Sequence, residues 1–205
     1  MDIIIENDYA RFQMWSAMKQ LKRVLDKLPE GTQAYIAGGA PRDWHHGWGC
    51  RDVDIFYKTP MTEEPIDLDF RHIKLLGEGL YYHPNNHVLS VHEYPVYNGA
   101  LKYRKVQLIR TDTDPLEVIK DFPINMSRIW MDRKGNIECD RWYAFGWYNC
   151  MLAEMHTKQY NYPYLEKILG RYRDYGFMPW GWKKRVDVEE IEKQMDKMFK
   201  DYETK

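Results

Sequence analysis

No stretch of the 205 residues approaches the ~18 consecutive apolar residues needed to cross a bilayer, and mean hydropathy is low at -0.71. Membrane-spanning functions are excluded on that ground. Cysteine is scarce: three residues, an odd number, argue against a secreted disulfide scaffold. There is no excess of charge of either sign, with 30 Lys and Arg against 31 Asp and Glu. A protein that coats nucleic acid by bulk charge would have a domain pI above about 9, whereas this chain has a pI near 6.7. The start, MDIIIENDYARF, has neither the basic opening nor the long apolar stretch of a secretory signal. Internal repeats, low-complexity tracts and long linkers are also missing. The expectation is a soluble, cytoplasmic chain with no membrane partner.

What the chain does have is aromatic residues, with 16 Tyr and 8 Trp, crowded into the second half. Its length suits one domain with a modest appendage. Residues 8–28 space Phe12, Trp15, Met18, Leu21, Val24, Leu25 and Leu28 at helical period, predicting an amphipathic helix that ends at Pro29-Glu30-Gly31. Gln33 to Ala37 reads as a buried strand, and a brief helix follows Gly38-Gly39. Asp52 to Tyr57 reads as a second strand and Asp67 to Leu76 as a helix. Val88 to Val96 and Lys102 to Arg110 read as a hairpin turning at Asn98-Gly99. Asp114 can cap a short helix to Lys120, with Pro115 in its first turn. Ile124 to Met131 reads as a strand that turns at Lys134-Gly135-Asn136, and the chain beyond Asp140 reads as helical. The fold class is α/β, or α+β with a mixed sheet. The expected domains are a head over residues 1–140 and a helical appendage over 141–205, packed on the head.

The segment richest in chemistry is YIAGGAPRDWHHGWGCRDVDIF, residues 35–56. A strand ends in Gly38-Gly39 and a helix begins. Glycines there let a ligand approach the backbone, and free N–H groups attract phosphate. Arg42 can reach the same anion. Asp52 and Asp54 alternate on a strand, so both carboxylates share one face. Two such carboxylates repel unless a cation neutralises them, and Mg²⁺ is typically held by one or two carboxylates plus substrate phosphates. A phosphate cradle beside a cation site is equipment for phosphoryl or nucleotidyl transfer.

This segment resembles the first motif of the class II nucleotidyltransferases of the polymerase-β superfamily, the CCA-adding tRNA nucleotidyltransferases and bacterial poly(A) polymerases. That motif runs Gly-Gly-x-Val-Arg-Asp-x-Leu-Leu-Gly, four residues, then Asp-x-Asp. Gly38, Gly39, Arg42, Asp43, Gly47, Asp52 and Asp54 fall in register, while Pro41 replaces the valine and His45 and His46 the leucines. A second match, to Arg-Arg-Asp-Phe-Thr-Ile-Asn, is Ile119-Lys120-Asp121-Phe122-Pro123-Ile124-Asn125. Lys120 keeps a charge but loses the bidentate fork of arginine. A third, Arg110-Thr111-Asp112, is similar to an Arg-Thr-Glu of the family. The resemblance spans about residues 33–140 and extends weakly into Pro163 to Phe177. The family's nucleotide-selecting motif and its long body and tail are not recognisable, so the resemblance is to a compact head alone, of a kind common in phages.

The resemblance implies a polymerase-β-like head that moves a nucleoside monophosphate from a triphosphate to an acceptor hydroxyl, with an RNA 3′ end as the expected acceptor. It implies Mg²⁺ or Mn²⁺ on Asp52 and Asp54, with Asp112 as a third catalytic carboxylate. Gly38, Gly39, Arg42, Asp43, Lys120, Asp121 and Asn125 would bind the nucleotide. Two alternatives stay open: nucleotidylation of a protein or small-molecule hydroxyl, and a non-catalytic relative that binds nucleotide or a partner. An RNA acceptor would find aromatic and basic side chains at Arg171, Arg173, Trp180, Trp182, Lys183, Lys184 and Arg185, although Trp180 to Arg185 also reads as a hinge that packs the last helix. His45, His46 and Cys50 lack a second ligand pair at zinc spacing. His83 and His87 flank a turn. Cys139 and Cys150 have no His–acid setting for nucleophilic work.

Overall fold

The structure is a computed structural model describing residues 3–60, 74–76, 87–95, 105–149, 151–153, 170, 172, 178–180, 193 and 195–197. It is a mixed α/β fold. Helix α1 (Asp8–Leu25) leads into strand β1 (Gln33–Ala37), helix α2 (Gly39–His45) and strand β2 (Asp52–Lys58). Strands β3 (Lys74–Leu76), β4 (Val88–Pro95) and β5 (Lys105–Thr111) follow, then helix α3 (Pro115–Lys120), strands β6 (Ile129–Met131) and β7 (Ile137–Cys139), and helix α4 (Arg141–Tyr148). The seven strands form one sheet in the order β3-β4-β5-β2-β1-β6-β7. Within this sheet, among the described residues, only β2 and β5 pair in parallel. Strands β8 (Met151–Ala153) and β9 (Met178–Trp180) form a separate parallel pair.

The chain divides into two compact units. Unit 1 holds residues up to Phe122 together with Ser127 to Cys139, and so the whole seven-stranded sheet. Unit 2 holds Pro123 to Met126 and the chain from Asp140.

Local chemistry explains several boundaries in unit 1. The Asn7 side chain accepts the Ala10 N–H at 3.0 Å and caps α1. The Asp114 carboxylate accepts the Leu116 N–H at 2.9 Å, and Pro115 occupies the first turn of α3, as its sequence predicts. Alternating side chains give the sheet two faces. On one face Ala37, Phe56, Val91, Ile109 and Trp130 form a buried cluster with Val118 and Ile119 of α3. The other face carries Ile36, Val53, Ile55, Val106, Leu108 and Met131, all buried.

Four expectations are corrected. The α1 stripe is rotated at its N-terminal half: Leu21 and Leu28 are buried as expected, but they are joined by Ala10, Gln13 and Ala17, whereas Phe12 and Trp15 are 48% and 59% exposed. A spacing of three and four fits both sets, and the smaller residues allow the closer approach to α2 and β1, against which α1 packs. Lys74 to Leu76, expected at the end of a helix, is a strand because β4 offers it a backbone ladder; residues 67–73 lie outside the described residues. Ile124 to Met131 is not one strand. Asn125–Ser127 is a 3₁₀ turn, and pairing with β1 starts only at Trp130. Beyond Asp140, β8 and β9 interrupt the expected helical run by pairing with each other. The expected hairpin strands do pair antiparallel as β4 and β5, while the Asn98-Gly99 turn and His83 lie outside the described residues.

Candidate active site

The turn that joins β1 to α2 requires glycine. Gly38 has φ 72 and ψ -116, a left-handed backbone that L side chains rarely adopt. Its N–H donates to Ile129 O at 3.0 Å, tying the turn to β6. A Cβ built on Gly38 would lie 3.5 Å from the Phe122 ring, which itself packs on Phe56 with centroids 5.4 Å apart. Phe122 is fixed in turn by Arg128, a buried arginine whose Nε donates to the Phe122 carbonyl at 2.8 Å. One corner of the sheet thus gathers Gly38-Gly39, the end of α3 and the start of β2.

Asp52 and Asp54 open β2 and point to one face, with Cα atoms ~6.6 Å apart, two strand rises. Both are partly buried. Asp54 pairs in register with Ala37 of β1 and Gln107 of β5, and Asp52 with Lys105. Residues in register across a sheet share a face, so Lys105 and Gln107 flank the acid pair. On the next strand Glu93 stands in register with Gln107. Its Oε2 accepts hydrogen bonds from Lys105 Nζ and from Gln107 Nε2, both at 2.8 Å. Burial works against the Lys105 ammonium, but the Glu93 hydrogen bond and the charges of Asp52, Glu93 and Asp54 outweigh it and raise its pKa. The half of this face under α3 is apolar and the half beyond it is acidic.

The acid pair fits a hard divalent cation. Two carboxylates on one face match the protein share of a Mg²⁺ site that is completed by substrate phosphates and water. One of the pair's oxygens, Asp54 Oδ1, is buried. No group of three or more His, Cys, Asp or Glu converges among the described residues, so the pair is the donor set they provide.

The other expected site residues separate into those at this corner and those away from it. Arg42 and Asp43 are both buried and pair with each other, Arg42 Nη2 lying 2.9 Å and Nε 3.0 Å from Asp43 Oδ1. The guanidinium lies beside Gly39, 3.6 Å from where a Cβ would be. The guanidinium is thus a buried group at the turn, paired with Asp43. Lys120 and Asp121 end α3, just before Phe122, and Lys120 Nζ lies over the Trp130 ring at 5.6 Å. Ile119, which stands where the resemblance has an arginine, is fully buried in the apolar cluster.

One residue of unit 1, Asp112, is not brought together with the acid pair as expected. Asp112 follows β5, and because β5 runs parallel to β2 it lies at the opposite end of the sheet. Five residues from Gln107 at about 3.3 Å each put it some 16 Å along the strand from the level of Asp54. There Asp112 Oδ1 is 2.9 Å from His87 Nδ1. Asn125 is fully buried in unit 2, where its Nδ2 donates to the carbonyls of Trp142 at 3.3 Å and Met151 at 3.1 Å. That is a structural knot. Arg171, Arg173, Trp182, Lys183, Lys184, Arg185 and the side chain of Trp180 lie outside the described residues.

Sequence reasoning missed Gln13, Glu93, Lys105, Gln107 and Arg128. Gln13 is fully buried, and its Oε1 accepts the Cys50 N–H at 2.8 Å and the Trp44 indole N–H at 3.4 Å. It therefore pins the segment that leads into Asp52. A lone polar residue within an otherwise small, apolar helix face was the available signal. His45 and His46 are held neutral, burial pushing their pKa values down to about 4 and about 3, with mutual repulsion and Arg42 adding to the effect on His46. The His46 ring stacks on Trp48 with centroids 4.3 Å apart, filling space that apolar side chains would otherwise occupy. Burial raises the Cys50 thiol, and the charges of Asp43 and Asp54 add to that, so it is no thiolate nucleophile.

No family model matches the sequence, and no curated protein does. Solved structures do share its fold. The Thermotoga maritima CCA-adding enzyme complexed with tRNA superposes with TM-score 0.59 at 14% identity, over 95% of this chain and 45% of that enzyme. A CCA-adding enzyme complexed with ATP gives 0.59 at 14% identity, over 87% and 43%. The Bacillus stearothermophilus CCA-adding enzyme complexed with CTP gives 0.52 at 19% identity, over 82% and 40%. The chain thus spans less than half the length of these enzymes.

Proposed function

We propose that a chain with the fold of CCA-adding enzymes and an acid pair beside a Gly-Gly turn is a metal-dependent nucleotidyltransferase. It moves a nucleoside monophosphate from a triphosphate to an acceptor hydroxyl, and the acceptor is an RNA 3′ end of tRNA type. The observation that carries the reading is the placement of Asp52 and Asp54 on one face of β2, at the corner that holds the Gly38-Gly39 turn. Support for the substrate classes comes from the solved relatives, which are complexed with tRNA, ATP and CTP. The setting is the cytoplasm, a host's if the chain is phage-encoded, where both substrates occur.

Asp52 and Asp54 would hold Mg²⁺ or Mn²⁺, which supplies charge neutralisation and alignment of the triphosphate. The residues of the chain do the rest. Gly38, whose N–H is taken by Ile129 O, sets the turn, and Gly39, lacking a side chain, admits a phosphate to its backbone N–H. Arg42, fixed by Asp43, braces that turn. Lys120 and Asp121 at the end of α3 flank the nucleotide, and Phe122 supports it from below. The acceptor oxygen attacks the α-phosphorus, its proton passes to a carboxylate oxygen of Asp54, and pyrophosphate leaves. Asp112, at the other end of the sheet, takes no part. Positioning and charge compensation account for the rate.

The test is incubation of the full chain with Mg²⁺, each α-labelled triphosphate, and total RNA or cell lysate. Label in RNA 3′ ends that disappears in Asp52→Asn and Asp54→Asn supports the proposal. Label confined to protein would replace the acceptor, and binding of triphosphate with no transfer would refute the enzyme.

A further inference from the structure

Of the five polar side chains described on the acidic half of the sheet face, the mechanism above uses only Asp52 and Asp54. The other three, Glu93, Lys105 and Gln107, form a hydrogen-bonded set of their own on the two adjoining strands. Their arrangement is specific. Lys105 is in register with Asp52 yet reaches diagonally to Glu93. Gln107, in register with both Asp54 and Glu93, stands between the two acids and donates to the same Glu93 oxygen as the lysine. Lys105 thus has carboxylates on both sides, one holding it and two beside it.

Among the described residues of this stretch, Asp52, Asp54 and Glu93 carry negative charge and Lys105 stands among them with the positive one. Lys105 and Glu93 are about a third and a quarter exposed, at 32% and 27%. Their contact is therefore worth little as a stability term. A flexible four-carbon stem, in contrast, lets a lysine shift its ammonium between neighbouring acceptors.

The geometry points to Lys105 as a resident counter-ion of the Asp52–Asp54 pair, held at a set distance by Glu93 and Gln107, so that this lysine–glutamate couple sets the affinity of the pair for a divalent cation. The inference rests on the cation site proposed above and deepens it. Without the cation, the ammonium relieves the repulsion between the two aspartates. When a cation is bound, Glu93 holds the ammonium back from it. Glu93 is then a positioning residue that acts through Lys105, not a ligand.

Mn²⁺ binding by the full chain, followed by electron paramagnetic resonance without nucleotide, tests this. Lys105→Met should tighten Mn²⁺ binding about fivefold, because a like charge near the ion is gone, and should lower the melting temperature of the metal-free chain. Lys105→Arg should restore both values. Glu93→Gln should weaken Mn²⁺ binding about threefold, because the released ammonium turns to the aspartates. In the double variant the Glu93→Gln change should have no further effect beyond Lys105→Met. A persistent Glu93→Gln loss in the Lys105→Met background would make Glu93 a ligand and overturn the inference. So would Mn²⁺ affinity unchanged by Lys105→Met in a chain whose circular dichroism is native. No Mn²⁺ uptake by the wild-type chain would overturn the cation site itself, and the inference with it.

Discussion

Replacing Gln13 by leucine isolates the contact that connects α1 to the strand of the acid pair. Leucine has nearly the same volume and removes the bonds to the Cys50 N–H at 2.8 Å, to the Trp44 indole N–H at 3.4 Å and from Gln13 Nε2 to Tyr9 Oη at 3.0 Å. Cys50 is 3% exposed and Trp44 fully buried, so water cannot take the place of the lost acceptor. An orphaned buried donor costs about 1–3 kcal/mol. The short Cys50 bond should carry most of that and the long Trp44 bond a fraction. The expected loss is about 2–3 kcal/mol, which at 2–4 °C per kcal/mol for a chain of this size lowers the melting temperature by about 4–12 °C. Thermal unfolding followed by circular dichroism measures it, with Phe12→Ala as control. Phe12 lies on the same helix but is about half exposed, and its loss should cost within about 1 kcal/mol. A Gln13→Leu chain that melts with the wild type would refute the argument that this bond positions the segment before Asp52.

Asp112→Ala should retain near wild-type transfer, while Asp54→Asn lowers it at least about a hundredfold; equal losses in labelled-nucleotide assays would restore Asp112 to the site. Gly146→Ala should destabilise unit 2 by about 2 kcal/mol or more, because an added Cβ would fall 2.1 Å from Asn125 Nδ2 and 2.7 Å from the Met151 carbonyl oxygen; a urea midpoint at the wild-type value would contradict it. His45 and His46 have folded pKa values below the unfolded 6.5, at about 4 and about 3. The unfolded chain therefore binds protons first as pH falls. The stabilisation they give is complete above pH 6.5 and is lost progressively below it, by about 2–4 kcal/mol at pH 5 as an upper range for both. Urea titrations at pH 7 and pH 5 should show the fall, and His46→Phe should reduce it.

Much of unit 1 was legible because its signals are local. The strand from Gln33 to Ala37, the glycine turn after it, the cap at Asp114, the first-turn Pro115 and the turn at Lys134 to Asn136 each depend on residues within a few positions of one another. The pairing of Asp52 with Asp54 is of the same kind, since strand alternation alone puts both on one face.

What the sequence could not determine depended on partners far along the chain. Two stripes on α1 had helical spacing, and only the approach of α2 and β1 chose the one with Ala10, Gln13 and Ala17 over the one with Phe12 and Trp15. Glu93 reaches the acid pair only through two successive strand registers, from β4 to β5 and from β5 to β2. Asp112 shows the limit most clearly. Had β5 run antiparallel to β2, the residue after it would have stood near Asp52. Because the two strands are parallel, the same residue ends at the far edge of the sheet, next to His87. Strand direction is a choice between long-range backbone ladders, and the residues around Asp112 are compatible with either.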